Sequence, residues 1–120
     1  MKNFLAVYIG RASALEKARW NELPEAERNE REKAGLDAWI AWGVEHAKSI
    51  VEQGGRLGKT KQVGPNGITD ITNTLVGWSI VRAESHEAAA KLFERHPHFA
   101  IFPGDSVEIM EWLPLPAERG

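Results

Sequence analysis

The order of apolar and polar positions along the chain predicts four main strands and two main helices. Residues 3–9 are apolar or aromatic at every position but the first, which is typical of a strand covered on both faces. A helical period runs from Pro24 to about Gln53, and Gly54-Gly55 is a suitable helix end. The face of this helix that we expect to pack on the sheet contains Leu36, Ile40, Gly43, Ala47, Ile50 and Val51.

The middle of the chain predicts two further strands joined by a turn. Residues 56–63 are polar and carry lysines, as edge strands often do, and residues 64–67 read Gly-Pro-Asn-Gly, a strong turn signal. Residues 68–82 are too long for a single strand of ordinary size, so we expect a break or bulge near Asn73.

The end of the chain completes the order strand, helix, strand, strand, helix, strand. Ser85 is a suitable N-cap for a short helix that ends near Arg95, and residues 106–113 form the last predicted strand. This order predicts a ferredoxin-like α+β fold, with a four-stranded antiparallel sheet and both helices on one face. The length of 120 residues fits one such domain, with a loose tail from about residue 114.

The predicted strands are apolar on both faces, although two helices cover only one face of the sheet. On the first strand, Phe4, Ala6 and Tyr8 lie on one face, and Leu5, Val7 and Ile9 lie on the other. The third strand places Val76, Trp78 and Ile80 on one face and Leu75 and Val81 on the other. The last strand places Val107 and Ile109 on one face and Met110 and Trp112 on the other. A large exposed apolar face is unfavourable in a monomer, and a second copy packed sheet to sheet would cover it. The sequence therefore predicts a two-fold homodimer, a dimeric α+β barrel.

Composition and charge narrow the classes of function. The chain has no cysteine, which excludes disulfides, thiolate metal sites and a cysteine nucleophile, and is compatible with a reducing cytoplasm. A formal net charge of -2 offers no basic field for phosphates, which argues against nucleic acid as a partner. The apolar runs are too short for a signal sequence or a membrane span, so we expect a cytoplasmic protein with no membrane partner.

Candidate functional residues are densest between His96 and Trp112, a stretch with two His, two Pro, two Phe and an Asp-bearing turn. On the long helix, Trp39, Trp42 and His46 share one flank, because steps of three, four and seven residues return to nearly the same direction. This flank either lines a pocket or widens the buried face of the helix.

Two classes of function fit these residues, and neither requires a cofactor. The first is a module that binds a small molecule without turnover, which needs only a concave site with aromatic walls. The walls of that pocket are predicted to be Tyr8, Trp39, Trp42, Trp78 and Phe99. The second is an enzyme in which Asp70 acts as general base or orienting group, with His46, His96 or His98 as proton carrier. The simpler interpretation of Asp70 is a residue that bonds its own backbone near a turn.

Two further readings are weaker. His96 and His98 in extended backbone, with Asp105, would offer metal ligands, but His96 is equally explained as a residue that ends the preceding helix, and no metal is predicted. An RNA-binding domain of the same topology would stack bases on Tyr8 and Trp78, but the chain lacks the basic surround that this requires.

Several segments resemble the YCII-related family of dimeric α+β barrels. They are the N-terminal strand, Ala38-Trp39-Ile40-Ala41-Trp42, Leu57-Gly58-Lys59-Thr60-Lys61, Ser85-His86-Glu87-Ala88-Ala89, and the ending from His96-Pro97-His98-Phe99 to Val107-Glu108. The resemblance implies a ferredoxin-like homodimer. Some members carry a His and Asp pair proposed for acid/base chemistry, and a related branch carries Asp-Gly-Pro-Phe before the third strand. Asp70 is the residue that matches that Asp, followed here by Ile-Thr-Asn, and no histidine precedes His46.

Overall fold

The structure, a computed structural model, describes residues 1–116; the last four residues of the predicted tail, 117–120, lie outside the described part. The strands are β1 (Lys2–Ile9), β2 (Ile50–Arg56), β3 (Thr60–Gly64), β4 (Gly67–Ile71), β5 (Leu75–Ala83) and β6 (Ser106–Glu111). The helices are α1 (Ala12–Ala18), α2 (Glu25–Glu45), α3 (His86–Lys91) and α4 (Pro97–Ala100), with a 3₁₀ turn at Trp20–Glu22. Within residues 1–116, no helix combines the length and apolar character needed to cross a membrane.

The main sheet is antiparallel, with its strands in the order β2-β5-β1-β6. Together with α2 and α3, this order is that of a ferredoxin-like fold, so the predicted fold class is confirmed. The break predicted near Asn73 is also present, since β4 ends at Ile71 and β5 begins at Leu75. The Asn73 side chain holds this break by accepting a hydrogen bond from the Leu75 amide at 2.9 Å.

The core lies between the sheet and the two main helices. Side chains alternate along β1, so Phe4, Ala6 and Tyr8 point toward the helices, and each is at most 3% exposed. Trp42 of α2 and Phe93, just after α3, pack against them. Both helices therefore cover the same face of the sheet, as predicted.

The long helix packs on the sheet with a face that overlaps the predicted one only in part. Leu36 and Ile40, expected in the core, are 58% and 66% exposed. The buried residues of the helix are Gly35 and Trp42, which lie outside the predicted face, and Gly43, which was predicted on it. The two glycines let the helix approach its neighbours closely, because a Cβ at Gly35 would lie 2.4 Å from the ring of Phe102 and one at Gly43 would lie 3.0 Å from the Gln53 side chain.

The predicted helix was also too long. It ends at Glu45, and residues 50–55, predicted as its last turn and the glycine stop, belong to the edge strand β2, which ends at Arg56. Pairing with β5 overrides the helical period in this stretch, and the pairing is irregular between Ile50 and Gly55. Gly54 permits the irregularity, since its φ of 71° is in the left-handed region and a Cβ there would lie 1.9 Å from the Trp78 carbonyl oxygen.

Strands β3 and β4 form a separate two-stranded hairpin, which we call the arm. All residues from Lys61 to Asp70 are exposed. The chain measures 61 Å in its longest dimension, and its radius of gyration is 16.9 Å, whereas a compact domain of this length has one of roughly 13.6 Å. The arm therefore projects from the body of the domain.

The second face of the sheet lies opposite α2 and α3. The register pairs Leu5 with Ile80 and Val7 with Trp78, and it places Met110 beside Leu5, so all five side chains share that face. Leu5, Ile80 and Trp78 are half-buried, and Met110 is 41% exposed. The centre of the face is apolar, as the alternation predicted, and Glu108 and Arg82 lie on the same face around it.

Candidate functional site

A cleft of about 690 Å³ opens between α2 and the ends of β2 and β5. Its volume is within the range of small-molecule sites. Its aromatic lining consists of Tyr8, Trp20, Trp39, Trp78, His98 and Phe102. The remaining lining consists of Glu32, Leu36, Ile40, Gln53, Gly54, Gly55, Arg56, Val76, Gly77 and Pro103. The cleft therefore offers flat apolar walls with few polar groups.

The hydroxyl group of Tyr8 already donates its proton in a hydrogen bond within the protein. It lies on the central strand β1 and is 3% exposed. The Ser79 hydroxyl donates to the Gln53 carbonyl oxygen at 2.9 Å, so the Tyr8 hydroxyl donates to the Ser79 oxygen at 3.1 Å. Burial raises the pKa of Tyr8, and the hydrogen bond with Ser79 offsets part of the rise. Tyr8 is therefore a neutral phenol, with lone pairs left to accept a hydrogen bond.

His98 presents a fixed imidazole to the cleft. Its Nε2 donates to the Ile9 carbonyl oxygen at 2.7 Å, which leaves Nδ1 as the unprotonated nitrogen of the neutral ring. Gly104 packs closely against the ring, since a Cβ there would lie 2.3 Å from Cε1. Among the described residues none donates a hydrogen bond to Nδ1, and this nitrogen is not fully buried. His98 therefore keeps an accessible hydrogen-bond acceptor in a ring of fixed orientation.

His96 lies behind the cleft wall and is 0% exposed. It is the N-cap of α4, with its Nδ1 accepting from the His98 amide at 3.0 Å. Burial lowers the pKa of His96 to about 3, helped by the neighbouring charges of His98 and His46 when they are protonated. The ring is therefore neutral and carries its proton on Nε2. Among the described residues Nε2 has no hydrogen-bond partner, and the ring stands perpendicular to Trp39 at a centroid distance of 4.4 Å.

The two helical tryptophans have different environments. Trp39 lies on the cleft wall against Tyr8, with ring centroids 5.0 Å apart. Trp42 is 7% exposed in the core behind it, and its indole nitrogen donates to the Leu92 carbonyl oxygen at 2.7 Å. The flank predicted from the helical period thus contributes one residue to the cleft and one to the core, so both interpretations of it hold in part.

The predicted catalytic residues are not gathered in one place. His98 lies at the cleft, but Asp70 is on the arm, where it pairs with Lys61 at 2.6 Å. His46 follows the end of α2, packs against Trp42 with the two rings tilted by 55°, and lies 3.9 Å from a Glu45 carboxylate oxygen. A shared acid/base role for the three residues stays a prediction, with His98 alone in contact with the cleft.

The predicted ligand-binding residues divide between the cleft and other locations. Tyr8 and Trp39 line the cleft, and Trp78 borders it from β5, whose register places the Trp78 side chain on the other face of the sheet. Phe99 is 40% exposed and lines a second, smaller depression beside β6, on the far side of α4. Trp42 and Phe99 thus lie off the cleft, and their role in binding stays a prediction.

The residues considered as metal ligands have other partners. Asp105 accepts a hydrogen bond from the Arg11 amide at 2.7 Å, while the two histidines are bonded as described above. Within residues 1–116, no group of three or more His, Cys, Asp or Glu side chains is arranged to hold a metal ion.

Sequence reasoning missed several cleft residues. Trp20 precedes α2 in a 3₁₀ turn that no apolar period marks, and residues 53–56 were assigned to the helix and a polar strand. Phe102 belongs to the stretch already singled out between His96 and Trp112. The available signal in the sequence was Gly35, since a glycine inside a helix often marks close approach by another group, which here is the ring of Phe102.

The fold and cleft together define a ferredoxin-like α+β domain with an aromatic-walled cleft. The sequence matches no protein-family model and no curated protein. A similar solved structure is 5-chloro-2-hydroxyhydroquinone dehydrochlorinase from Burkholderia phenoliruptrix AC1100, in complex with 2,5-dihydroxybenzoquinone. The two chains are 15% identical with a TM-score of 0.49, over 92% of this chain and 93% of the other.

Proposed function

We propose that the chain is a homodimeric, YCII-related protein that binds a small planar aromatic molecule in this cleft. The observation that carries the proposal is the lining itself, in which Trp20, Trp39 and Phe102 line a volume of about 690 Å³. Flat apolar walls favour a planar ring, because aromatic groups gain from offset stacking and edge contacts as well as from burial.

The polar groups of the cleft favour a ligand with a hydrogen-bond donor. Nδ1 of His98 and the lone pairs of Tyr8 are acceptors, and the proton of each group is already bonded to the protein. A phenol or a hydroxylated bicyclic ring would satisfy His98 with its hydroxyl while its ring stacks on Trp39. An aromatic molecule without a donor would leave the acceptor unpaired when it excludes water.

The binding test compares 2-naphthol with 2-methoxynaphthalene, which has the same ring but no hydroxyl proton. Isothermal titration calorimetry should show 2-naphthol binding about two- to tenfold more tightly, the effect of one hydrogen bond. The variant His98→Leu removes Nδ1 and supplies no acceptor in its place, so it should remove the difference between the two compounds.

The walls are tested by Trp39→Leu, which should weaken 2-naphthol binding roughly three- to tenfold through lost stacking. The matched control is Trp112→Leu, since Trp112 is 55% exposed and does not line the cleft. Equal affinities of both variants and the native protein would refute the proposed site.

The homodimer is proposed because the second face of the sheet carries Leu5, Ile80 and Met110 opposite the helices. A copy packed on this face would bury these side chains in a shared core. Sedimentation velocity at micromolar concentration should give a dimer, and Ile80→Glu should shift it to monomer. The control Lys91→Glu, on the exposed surface of α3 in the helix layer, should leave the dimer unchanged.

A second candidate function is an enzyme, favoured by the geometry of His98. An imidazole with one nitrogen held by a carbonyl and the other accessible is arranged to accept a proton. With 2-naphthol in deuterated buffer, such a base should accelerate exchange of the carbon-bound hydrogen next to the hydroxyl, as followed by proton NMR. If the native protein and His98→Gln exchange no faster than buffer, the cleft binds this ligand without proton transfer.

A further inference from the structure

Two apolar features of the chain have no partner within it. On the arm, Val63 and Ile68 are 75% and 67% exposed. On α2, the residues at successive turns of the outer surface, which we call the outer stripe, are Leu36, Ile40 and Val44, exposed by 58%, 66% and 73%. Exposed apolar patches on a folded domain often mark interaction surfaces.

The arm is poorly suited to standing alone in water. Its strands have five residues each, and isolated two-stranded hairpins are marginally stable at best. Val63 and Ile68 are directly paired across the two strands, so both point to the same side and form a single apolar contact surface near the tip. A surface that covers this side would stabilise the arm.

We propose that the arm of one copy packs on the outer stripe of a second copy, and so closes the mouth of that copy's cleft. Val63 and Ile68 would contact Leu36 and Ile40, two residues that line the cleft and are exposed at its rim. The inference depends on the homodimer proposed above. A two-fold axis makes the contact reciprocal, since each copy has one arm and one stripe.

The reach of the arm fits this arrangement. Residues 57–64 lead from the end of β2 to the tip of the arm, and extended chain spans roughly 3.3 Å per residue, which gives about 26 Å. Two sheets packed face to face lie about 10 Å apart. An arm that leaves the edge of one sheet is therefore long enough to pass the partner's sheet and reach the helix layer behind it.

Arm exchange would also supply polar groups to the rim. The register pairs Lys61 with Asp70, two residues from the Val63–Ile68 pair on each strand, so this ion pair lies on the same side of the arm. Each cleft would then be completed by an ion pair from the other copy, close to its own Glu32 and Arg56. Asp70 would then lie close to a ligand bound in the partner's cleft, although it lies away from the cleft of its own chain.

Disulfide trapping tests the contact, because the chain has no cysteine of its own. Val63→Cys and Ile40→Cys are made in separate, differently tagged chains, mixed under refolding or exchange conditions, and oxidised. A disulfide between the two chains on a non-reducing gel supports the proposal. The control is Gln62→Cys with Ile40→Cys, since the Gln62 side chain is on the opposite side of the arm and should cross-link much less.

The other outcomes separate this inference from the dimer itself. A dimer in sedimentation velocity with no cross-link above the control would overturn the arm contact and leave the proposed dimer standing. A doubly substituted chain that forms only an internal disulfide would show that the arm folds back on its own helix, which also overturns the inference. A monomer at micromolar concentration would overturn both proposals.

A second measurement uses the affinity of the assembly. Val63→Asp places a charge in the proposed contact and should weaken dimerisation roughly tenfold or more, as loss of a central apolar contact does. Because the arm is exposed, the variant should fold as the native chain does, which circular dichroism checks. Gln62→Asp should leave the dimerisation constant unchanged, and equal constants for the two variants would count against arm exchange.

Discussion

The buried histidine His96 gives a quantitative prediction about stability and pH. It is 0% exposed, and burial lowers its pKa from 6.5 to about 3. The unfolded chain accepts a proton near the ordinary value, whereas the folded chain does not. The stabilising contribution of this group is therefore fully present above about pH 6.5 and is lost as the pH falls toward 3.

The size of the loss follows from the two pKa values. Between pH 7 and pH 4.5, proton linkage for one such group reduces the free energy of unfolding by about 2.5 kcal/mol. The variant His96→Asn removes the titrating ring and keeps an acceptor for the His98 amide, because an Asn oxygen can replace Nδ1 at the N-cap. Its stability should fall by about 2.5 kcal/mol less than that of the native protein over this range.

Urea unfolding at pH 7, 6, 5.25 and 4.5, followed by circular dichroism, measures the effect. Val81→Ala serves as the control, since it weakens the same core without removing a titrating group and should keep the native pH dependence. If the free energy of unfolding falls equally between pH 7 and pH 4.5 in the native protein and in His96→Asn, the buried neutral state of His96 is refuted. Carbon-detected NMR of the four histidine rings then reports the protonation of each directly.

Two further substitutions test the way in which α2 packs. Gly35→Ala should destabilise the protein by about 1–3 kcal/mol through overpacking against Phe102. Helix propensity alone would instead favour alanine by about 1 kcal/mol. Thermal unfolding shows which effect is larger, and Asn29→Ala, at an exposed position of the same helix, is the control. Trp42→Phe should cost about 1–3 kcal/mol, because it leaves the Leu92 carbonyl without its donor. Urea unfolding checks the second value, and an unchanged midpoint would contradict the hydrogen bond.

The sequence predicted the parts of the fold that local chemistry determines. The first strand is apolar at nearly every position and is central in the sheet. Ser85 has a side chain that caps a helix, and its hydroxyl accepts from the Ala88 amide at 3.0 Å. Asn73 interrupts a long apolar stretch because its side chain bonds the backbone two residues on. Each of these signals lies within a few residues of the feature that it produces.

The errors arose where distant parts of the chain decide the structure. Ile50 and Val51 continue the helical period, but pairing with β5 draws them into a strand. Leu36 and Ile40 are large apolar residues of α2 that stay exposed, because the smaller Gly35 and Gly43 let the helix dock closely through the surface that they share with Trp42. Periodicity measures apolar character and does not register the shape of the facing surface.

The candidate site was predictable by composition more than by geometry. The stretch after His96 and the aromatic residues Tyr8, Trp39 and Trp78 indicated a pocket, and the last three line the cleft. The tautomer of His98 could not be predicted from the sequence, because it depends on the carbonyl of Ile9, 89 positions away. The direction in which a polar group faces is set by tertiary contacts that sequence spacing does not encode.

The most direct test of ligand binding in this cleft is an NMR titration that follows the indole NH signals of the five tryptophans as 2-naphthol is added. Trp20 and Trp39 line the cleft, and their signals should shift together with a single dissociation constant. The signals of Trp42, bonded to a carbonyl in the core, and Trp112, outside the cleft, should shift little. Shifts confined to Trp112, or no saturable shift at millimolar ligand, would contradict binding in the cleft.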